Sequence, residues 1–317
     1  MLWPAAKRRR SKAARRRTGT ELRESRESQE AGRRRAFTIA VASGKGGTGK
    51  TTISTNLARV CAERCATQYA DCEVEAPNGH LFLQPEIRES ITVCRPVPVI
   101  DELACAHCGE CGDFCRNHAL AVLADRVLVF PELCRGCGGC MQVCVAGAVR
   151  ERDRPIGAIE LGQADRVSFT QGRLAVGETA SVRLVRGLRR RQEPCEAAIL
   201  DAAPGTICPV VATIRDTDLV LLVTEPRPFG LHDLNLAVEM VRQFGLPTGV
   251  VINRAGIGDE RVERYCQPEG LPVWVRIPEE RRVAEAYSRG ELACEAVPGF
   301  RGRIEQLASR LLCEVGA

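Results

Sequence analysis

The chain has 317 residues, 44% hydrophobic and 27% charged, which is too apolar for a disordered polymer and too poor in Gly and Pro for a fibrous one. The net charge of +5 conceals two regions: residues 1–35 carry 13 Lys+Arg against 4 Glu, while the remaining 282 residues hold 32 basic and 36 acidic groups. Seventeen cysteines, an odd number in a chain without an apolar export signal, argue against a disulfide framework and for metal or redox chemistry in a reducing, cytoplasmic setting.

The basic segment 1–35, with Lys7–Arg10, Arg15–Arg17 and Arg33–Arg35, is read as a solvated tail. Nucleic acid or acidic lipid enters the expectation only through it. No run approaches the roughly 18 apolar residues of a membrane-spanning helix. After the tail, Phe37–Ala42 is a short apolar run suited to a buried parallel strand. It leads into Gly44-Lys45-Gly46-Gly47-Thr48-Gly49-Lys50-Thr51-Thr52, followed by a helical pattern at Ile53, Leu57, Val60 and Cys61. This is the phosphate-binding G-x-x-x-x-G-K-[ST] loop in its strand–helix context, where glycines let successive N–H groups converge on a phosphate. Lys50 is expected to reach the β- and γ-phosphates of ATP and Thr51 to ligate Mg²⁺.

With its extra Lys45, the loop resembles the deviant Walker A motif of the MinD/ParA/Mrp and nitrogenase iron-protein superfamily. That resemblance implies an ATP-dependent homodimer in which Lys45 acts on the partner's nucleotide. Asp71-Cys72-Glu73-Val74-Glu75-Ala76-Pro77-Asn78 is similar to the family's second strand and switch I, except that Glu73 stands where an Asp is usual. Asp71 joins Thr51 and Asp201 as a candidate for the Mg²⁺ shell. The family Asp helps position the attacking water. The extra methylene of Glu73 moves the carboxylate by about a bond length, and a misplacement of about 1 Å can cost roughly 100-fold in rate. Slow hydrolysis with retained nucleotide binding is expected.

Two runs of cysteine follow, Cys105-x2-Cys108-x2-Cys111-x3-Cys115 and Cys134-x2-Cys137-x2-Cys140-x3-Cys144. This repeated spacing is the bacterial-ferredoxin pattern for two 4Fe–4S clusters, in which the fourth cysteine of each run crosses to the other cluster. One cluster takes Cys105, Cys108, Cys111 and Cys144, and the other Cys134, Cys137, Cys140 and Cys115. Gly109, Gly136, Gly138 and Gly139 should relieve the backbone crowding. Paired C-x2-C units, the usual zinc signature, are not the pattern here. Arg116 and Val145 replace the Pro that often follows the fourth cysteine.

Downstream, Ala197–Asp201 is an apolar strand ending in a carboxylate, read as Walker B, with Ala202–Gly205 as switch II. Asp201 is expected in the Mg²⁺ shell and the Gly205 backbone as a γ-phosphate sensor. The remaining cysteines default to buried small hydrophobes. Cys208, which in the iron-protein branch would match a cluster-bridging ligand, is read here as a thiol packed near switch II. Leu219–Thr224 and Thr248–Ile252 read as further strands. By the resemblance, Asn253 bonds the adenine, and Ile277-Pro278 closes over the base.

The fold expected is a mostly parallel α/β P-loop sheet with helices on both faces, including helices near 50–63, 231–244 and 302–313. Its domains would be the tail (1–35), the ATPase (36–100 and 151–317) and an inserted ferredoxin-like lobe (101–150). The resemblance is to MinD-superfamily ATPases carrying an inserted ferredoxin domain. It implies a nucleotide-driven switch coupled to electron transfer with a redox partner protein. The alternatives are a cluster or metallocofactor assembly ATPase acting on an apo-client, and a DNA- or membrane-positioning ATPase. Against the last, the stripe Ile304, Leu307 and Leu311 is flanked by Glu305, Gln306 and Arg310, which is not a basic amphipathic pattern.

Overall fold

The computed structural model describes residues 36–191 and 193–315; the tail 1–35 lies outside them. Nine strands form one sheet in the order β11-β10-β9-β1-β8-β2-β7-β6-β3. Its centre comprises β1 (Phe37–Ala42), β8 (Ala197–Asp201), β9 (Leu219–Thr224) and β2 (Thr67–Asp71), all parallel. The strands β10 (Thr248–Ala255) and β11 (Val273–Pro278) extend it in parallel on one side, and β7 (Val167–Leu174) does so on the other. The central strands are short apolar runs buried along their whole length, as a sheet covered on both faces requires.

Alternate side chains of β1 separate the two cores. Ile39 and Val41 pack with the helices α1 (Lys50–Cys61) and α11 (Pro298–Val315), whereas Ala40 and Ala42 pack with α7 (Pro228–Arg242) on the other face. The helices expected near 50–63, 231–244 and 302–313 are these three, with ends shifted by a few residues. Pro298 and Pro228 each sit at a helix start, where their missing N–H costs nothing. Among the described residues, no helix is long and apolar enough to cross a membrane.

The far edge was not foreseen. β3 (Glu86–Ile100) and β6 (Val149–Ala164) form a long antiparallel ribbon, and β6 pairs antiparallel with β7. Residues 101–148 leave the sheet at the end of β3 and return at the start of β6. They contain α3 (Glu110–Phe114), α4 (Gly139–Val143) and the hairpin β4 (Leu120–Val122)/β5 (Val127–Val129). The outermost strand begins with the exposed, charged run Glu86-Ile87-Arg88-Glu89-Ser90, which discourages pairing with another sheet edge.

Candidate nucleotide site and cysteine lobe

The cysteine repeat of the sequence is also a repeat of backbone. α3 and α4 each begin after a left-handed glycine, Gly109 (φ 88°) and Gly138 (φ 73°), and end on an extended cysteine, Cys115 and Cys144. Gly136 is also left-handed; Gly139 is not, but a Cβ there would lie 2.1 Å from the Phe114 ring. Two cavities result. One is lined by Cys115, Cys134, Cys137 and Cys140, and the other by Cys105, Cys108, Cys111 and Cys144. The first holds about 490 Å³ and the second only about 20 Å³. Its thiols already receive backbone donors: Ala119 N–H to Cys115 Sγ and Gly136 N–H to Cys134 Sγ, both at 3.3 Å. Burial pushes Cys140 up to about 11, and the neighbouring Cys134 and Cys137 add to the effect. Cys111 is raised by burial, with Cys105 and Cys144 beside it.

The loop between β1 and α1 forms one wall of a cavity of about 350 Å³. Gly46, Gly47, Gly49, Lys50, Thr51 and Thr52 line it, together with Glu73, Asn253, Ile277 and Pro278 from three other segments. Residues far apart in sequence meet here because β1, β8, β2 and β10 all end on the same edge of a parallel sheet, the usual position for ligands in such folds. Gly49 has φ 93°, and a Cβ on it would sit 2.3 Å from Asn253 Nδ2. Asn253 itself donates to the Thr48 carbonyl at 2.8 Å, tying the base-side strand to the loop.

Beneath the loop lie two carboxylates without solvent. Asp71 and Asp201 are cross-strand partners on β2 and β8, both fully buried. Asp71 accepts backbone N–H groups from Glu73, Asn78 and Gly79 at 2.9–3.1 Å. Burial and the neighbouring Asp201 nevertheless push its pKa up to about 8. Asp201 is raised by burial against the opposing pull of Lys50 and Thr51. The Tyr69 hydroxyl donates to Asp201 Oδ2 at 3.0 Å, while Asp201 Oδ1 is buried without a partner. A buried carboxylate oxygen left unmatched beside a threonine hydroxyl suits a hard divalent cation. Glu73, half-buried, is raised by burial and by Asp201 and Glu75, with Lys50 opposing.

The sequence matches the CobQ/CobB/MinD/ParA nucleotide binding domain family over residues 39–293. The chain belongs to that family. It is 31% identical over 283 residues to the uncharacterized protein MJ0579 of Methanocaldococcus jannaschii, covering 86% of this chain and 97% of that one. A second protein of that organism, MJ0578, is 31% identical over 224 residues, covering 70% of this chain and 79% of its own length. In fold the chain is similar to the septum site-determining protein MinD of Pyrococcus horikoshii, solved as a complex with Mg-ADP. The TM-score is 0.58 at 18% identity, with 89% of this chain and 99% of that one covered. This CobQ/CobB/MinD/ParA member is thus an α/β nucleotide-binding protein with a mostly parallel sheet.

Against the sequence expectations, the cavity gathers most of the proposed nucleotide residues but not all. Gly44 does not line it, and its missing Cβ leaves room for the Asp233 carbonyl, 2.0 Å from where a Cβ would stand. Thr48 is buried with its hydroxyl unpartnered. The Gly205 N–H, expected to sense a γ-phosphate, donates to the Ser43 carbonyl at 3.0 Å. Lys45, expected to reach a partner subunit, is bound within its own chain: Nζ lies 2.7 Å from Glu225 Oε1, and Arg254 Nη1 lies 3.3 Å from Oε2 of the same carboxylate. Cys208 needs correction. It starts α6 (Cys208–Ile214) and is exposed, not packed, because the helix turns its apolar Val210 and Ile214 inward instead. Tyr287, Arg254 and Val283 line the cavity without having been foreseen, since no local motif marks them.

Proposed function

We propose that this protein is a MgATP-driven switch, hydrolysing ATP as a homodimer, that controls electron transfer through two 4Fe–4S clusters. The observation that supports this reading is the sorting of eight cysteines into two cavities of four, in the crossed pattern set by their spacing. Four-ligand zinc sites usually show paired C-x2-C units and not two runs of four cysteines. Cys105, Cys108, Cys111 and Cys144 would hold one cluster, and Cys134, Cys137, Cys140 and Cys115 the other. When bound, such clusters supply one-electron storage at a potential tuned by hydrogen bonds to sulfur. The Ala119 and Gly136 N–H groups, which donate to Cys115 and Cys134 Sγ, would contribute to that tuning.

At the nucleotide cavity, the loop N–H groups and Lys50 would bind the phosphates, and Thr51 with Asp201 would hold Mg²⁺, with Asp71 behind them. Glu73 would orient the water that attacks the γ-phosphorus, yielding ADP and phosphate. Asn253 and Pro278 would flank the base. Lys45 would leave Glu225 to reach the partner's nucleotide. ATP can drive closure only to the extent that it binds the closed dimer more tightly than the open subunit.

Low-temperature EPR of anaerobically prepared, dithionite-reduced protein tests this, with and without MgATP. Coupled 4Fe–4S signals whose shape or reducibility changes with MgATP are the expected result. Signals indifferent to nucleotide would remove the coupling and leave a cluster-assembly ATPase. Protein with full metal content and no iron signal would overturn the cluster assignment.

A further inference from the structure

A cleft of about 540 Å³ lies where the cysteine lobe adjoins helix α5 (Ser181–Arg189), and Arg95, Arg135, Arg183, Arg186 and Arg190 line it. Among the described residues, no carboxylate lines it. The arginines come from three places: Arg95 from β3, Arg135 from the loop between Cys134 and Cys137, and the other three from one face of α5 and its end, spaced i, i+3, i+7. The carboxylate of Glu178 is already engaged, by Arg95 Nη2 at 2.9 Å and Arg154 Nη2 at 3.0 Å. Arg95 is 1% exposed, and its Nε and Nη1 are buried with no hydrogen-bond partner. Guanidinium nitrogens in that condition are costly, and a cleft lined by five arginines favours an anion.

Two of the guanidinium groups are held in place by neutral acceptors that leave their charge unspent. Arg135 Nη1 donates to Thr179 Oγ1 at 3.1 Å, and Arg183 Nε to the Cys94 carbonyl at 3.1 Å. The volume falls within the range of about 300–1,000 Å³ typical of small-ligand sites.

We propose that this cleft binds a small, multiply charged oxyanion ligand, whose charge is carried by phosphoryl or carboxylate groups. Arg135 also lines the cavity of Cys115, Cys134, Cys137 and Cys140, so the ligand sits beside that cysteine set. The site is separate from the P-loop, and it stands whether or not those cysteines carry iron.

The test is calorimetric titration of anaerobically prepared full-length protein with inorganic phosphate and, separately, with tricarballylate. A saturating non-hydrolysable MgATP analogue keeps the P-loop occupied. One saturable site is expected, weakening as salt rises. Losing charge-assisted hydrogen bonds should weaken it roughly tenfold or more in Arg183→Ser/Arg186→Ser. Arg135→Gln, on a different element, should show the same loss. All three side chains are exposed, so unchanged affinity for the nucleotide analogue verifies the fold of each variant. Binding of phosphate alone identifies a phosphoryl ligand and of tricarballylate alone a polycarboxylate. No saturable binding of either to the wild-type protein, or equal affinity in the variants, overturns the proposal.

Discussion

Releasing Lys45 should strengthen the dimer. Its Nζ lies 2.7 Å from Glu225 Oε1, with the lysine side chain 30% exposed and the glutamate 6%. A hydrogen bond between charged groups is worth about 1.5–3 kcal/mol, and partial exposure of the lysine places this one at the lower end. A closing dimer in which each Lys45 crosses to the other subunit breaks two such contacts, a penalty of about 3 kcal/mol, or roughly 100-fold in the dissociation constant. Glu225→Gln keeps the side chain's shape while removing its charge, and Arg254 retains Glu279 at 3.7 Å. Glutamine still accepts a weaker bond from Lys45, so the measured tightening should lie between roughly tenfold and 100-fold.

Sedimentation velocity with a non-hydrolysable MgATP analogue reads this directly. In a Lys45→Ala background the same substitution should leave the dimer constant unchanged, because the contact is already gone. A Glu225→Gln dimer no tighter than the wild type, or tightening that persists without Lys45, would refute the idea that the cis ion pair opposes closure.

If Glu73 slows hydrolysis by misplacing the carboxylate expected to orient water, Glu73→Asp should raise ATP turnover by up to roughly 100-fold in a phosphate-release assay; an unchanged or lower rate would refute that role. Gly49→Ala should abolish binding of a fluorescent ADP analogue, since it forces φ 93° on a residue with a Cβ and drives that carbon to within 2.3 Å of Asn253 Nδ2. The buried pair should also set a pH dependence. With Asp71 at about 8 in the folded protein against an ordinary 3.8, the native state keeps protons that the unfolded chain has released, so stability falls as pH rises from about 4 to 8. Melting temperatures without Mg²⁺ should therefore drop between pH 5.5 and 8.5, and the drop should shrink in Asp71→Asn; a rise over that window would refute the sign.

What could be read from the sequence was what is local. The strand, loop and helix from Phe37 to Cys61 follow from a contiguous motif with its glycines, and the crossed cysteine sets follow from a spacing repeated within 40 residues. The ribbon was invisible because its strands carry charged runs such as Arg150-Glu151-Arg152-Asp153-Arg154, and only pairing with β3 makes an extended conformation favourable there. Lys45 was legible as an unusual lysine but its cis partner was not: Glu225 approaches it only because β9 lies next to β1. Cys208 failed for a simpler reason. Cysteine defaults to burial, and which face of a seven-residue helix turns inward is decided by the sheet beneath it.

The position of the cysteine lobe in the chain also has a mechanical meaning. The segment expected to act as switch I begins at the end of β2, and the Val74 carbonyl accepts the Leu174 N–H at 2.8 Å at the end of β7. The next residue, Ala175, donates to the Ile156 carbonyl of β6 at 2.9 Å, and β6 pairs along its length with β3. Within the sheet, Gln171 of β7 lies opposite Asp71 on one side and Glu160 on the other, and its amide donates to the Glu160 carboxylate. Backbone hydrogen bonds thus run unbroken from the segment carrying Asp71 and Glu73 to the two strands from which the cysteines hang. A displacement of residues 72–78 that keeps the Val74–Leu174 bond displaces the end of β7, which is paired with β6. Contiguity alone is not coupling. It does mean that nucleotide-sensitive EPR signals would have a defined route, and that indifferent signals would leave the ribbon as a tether alone.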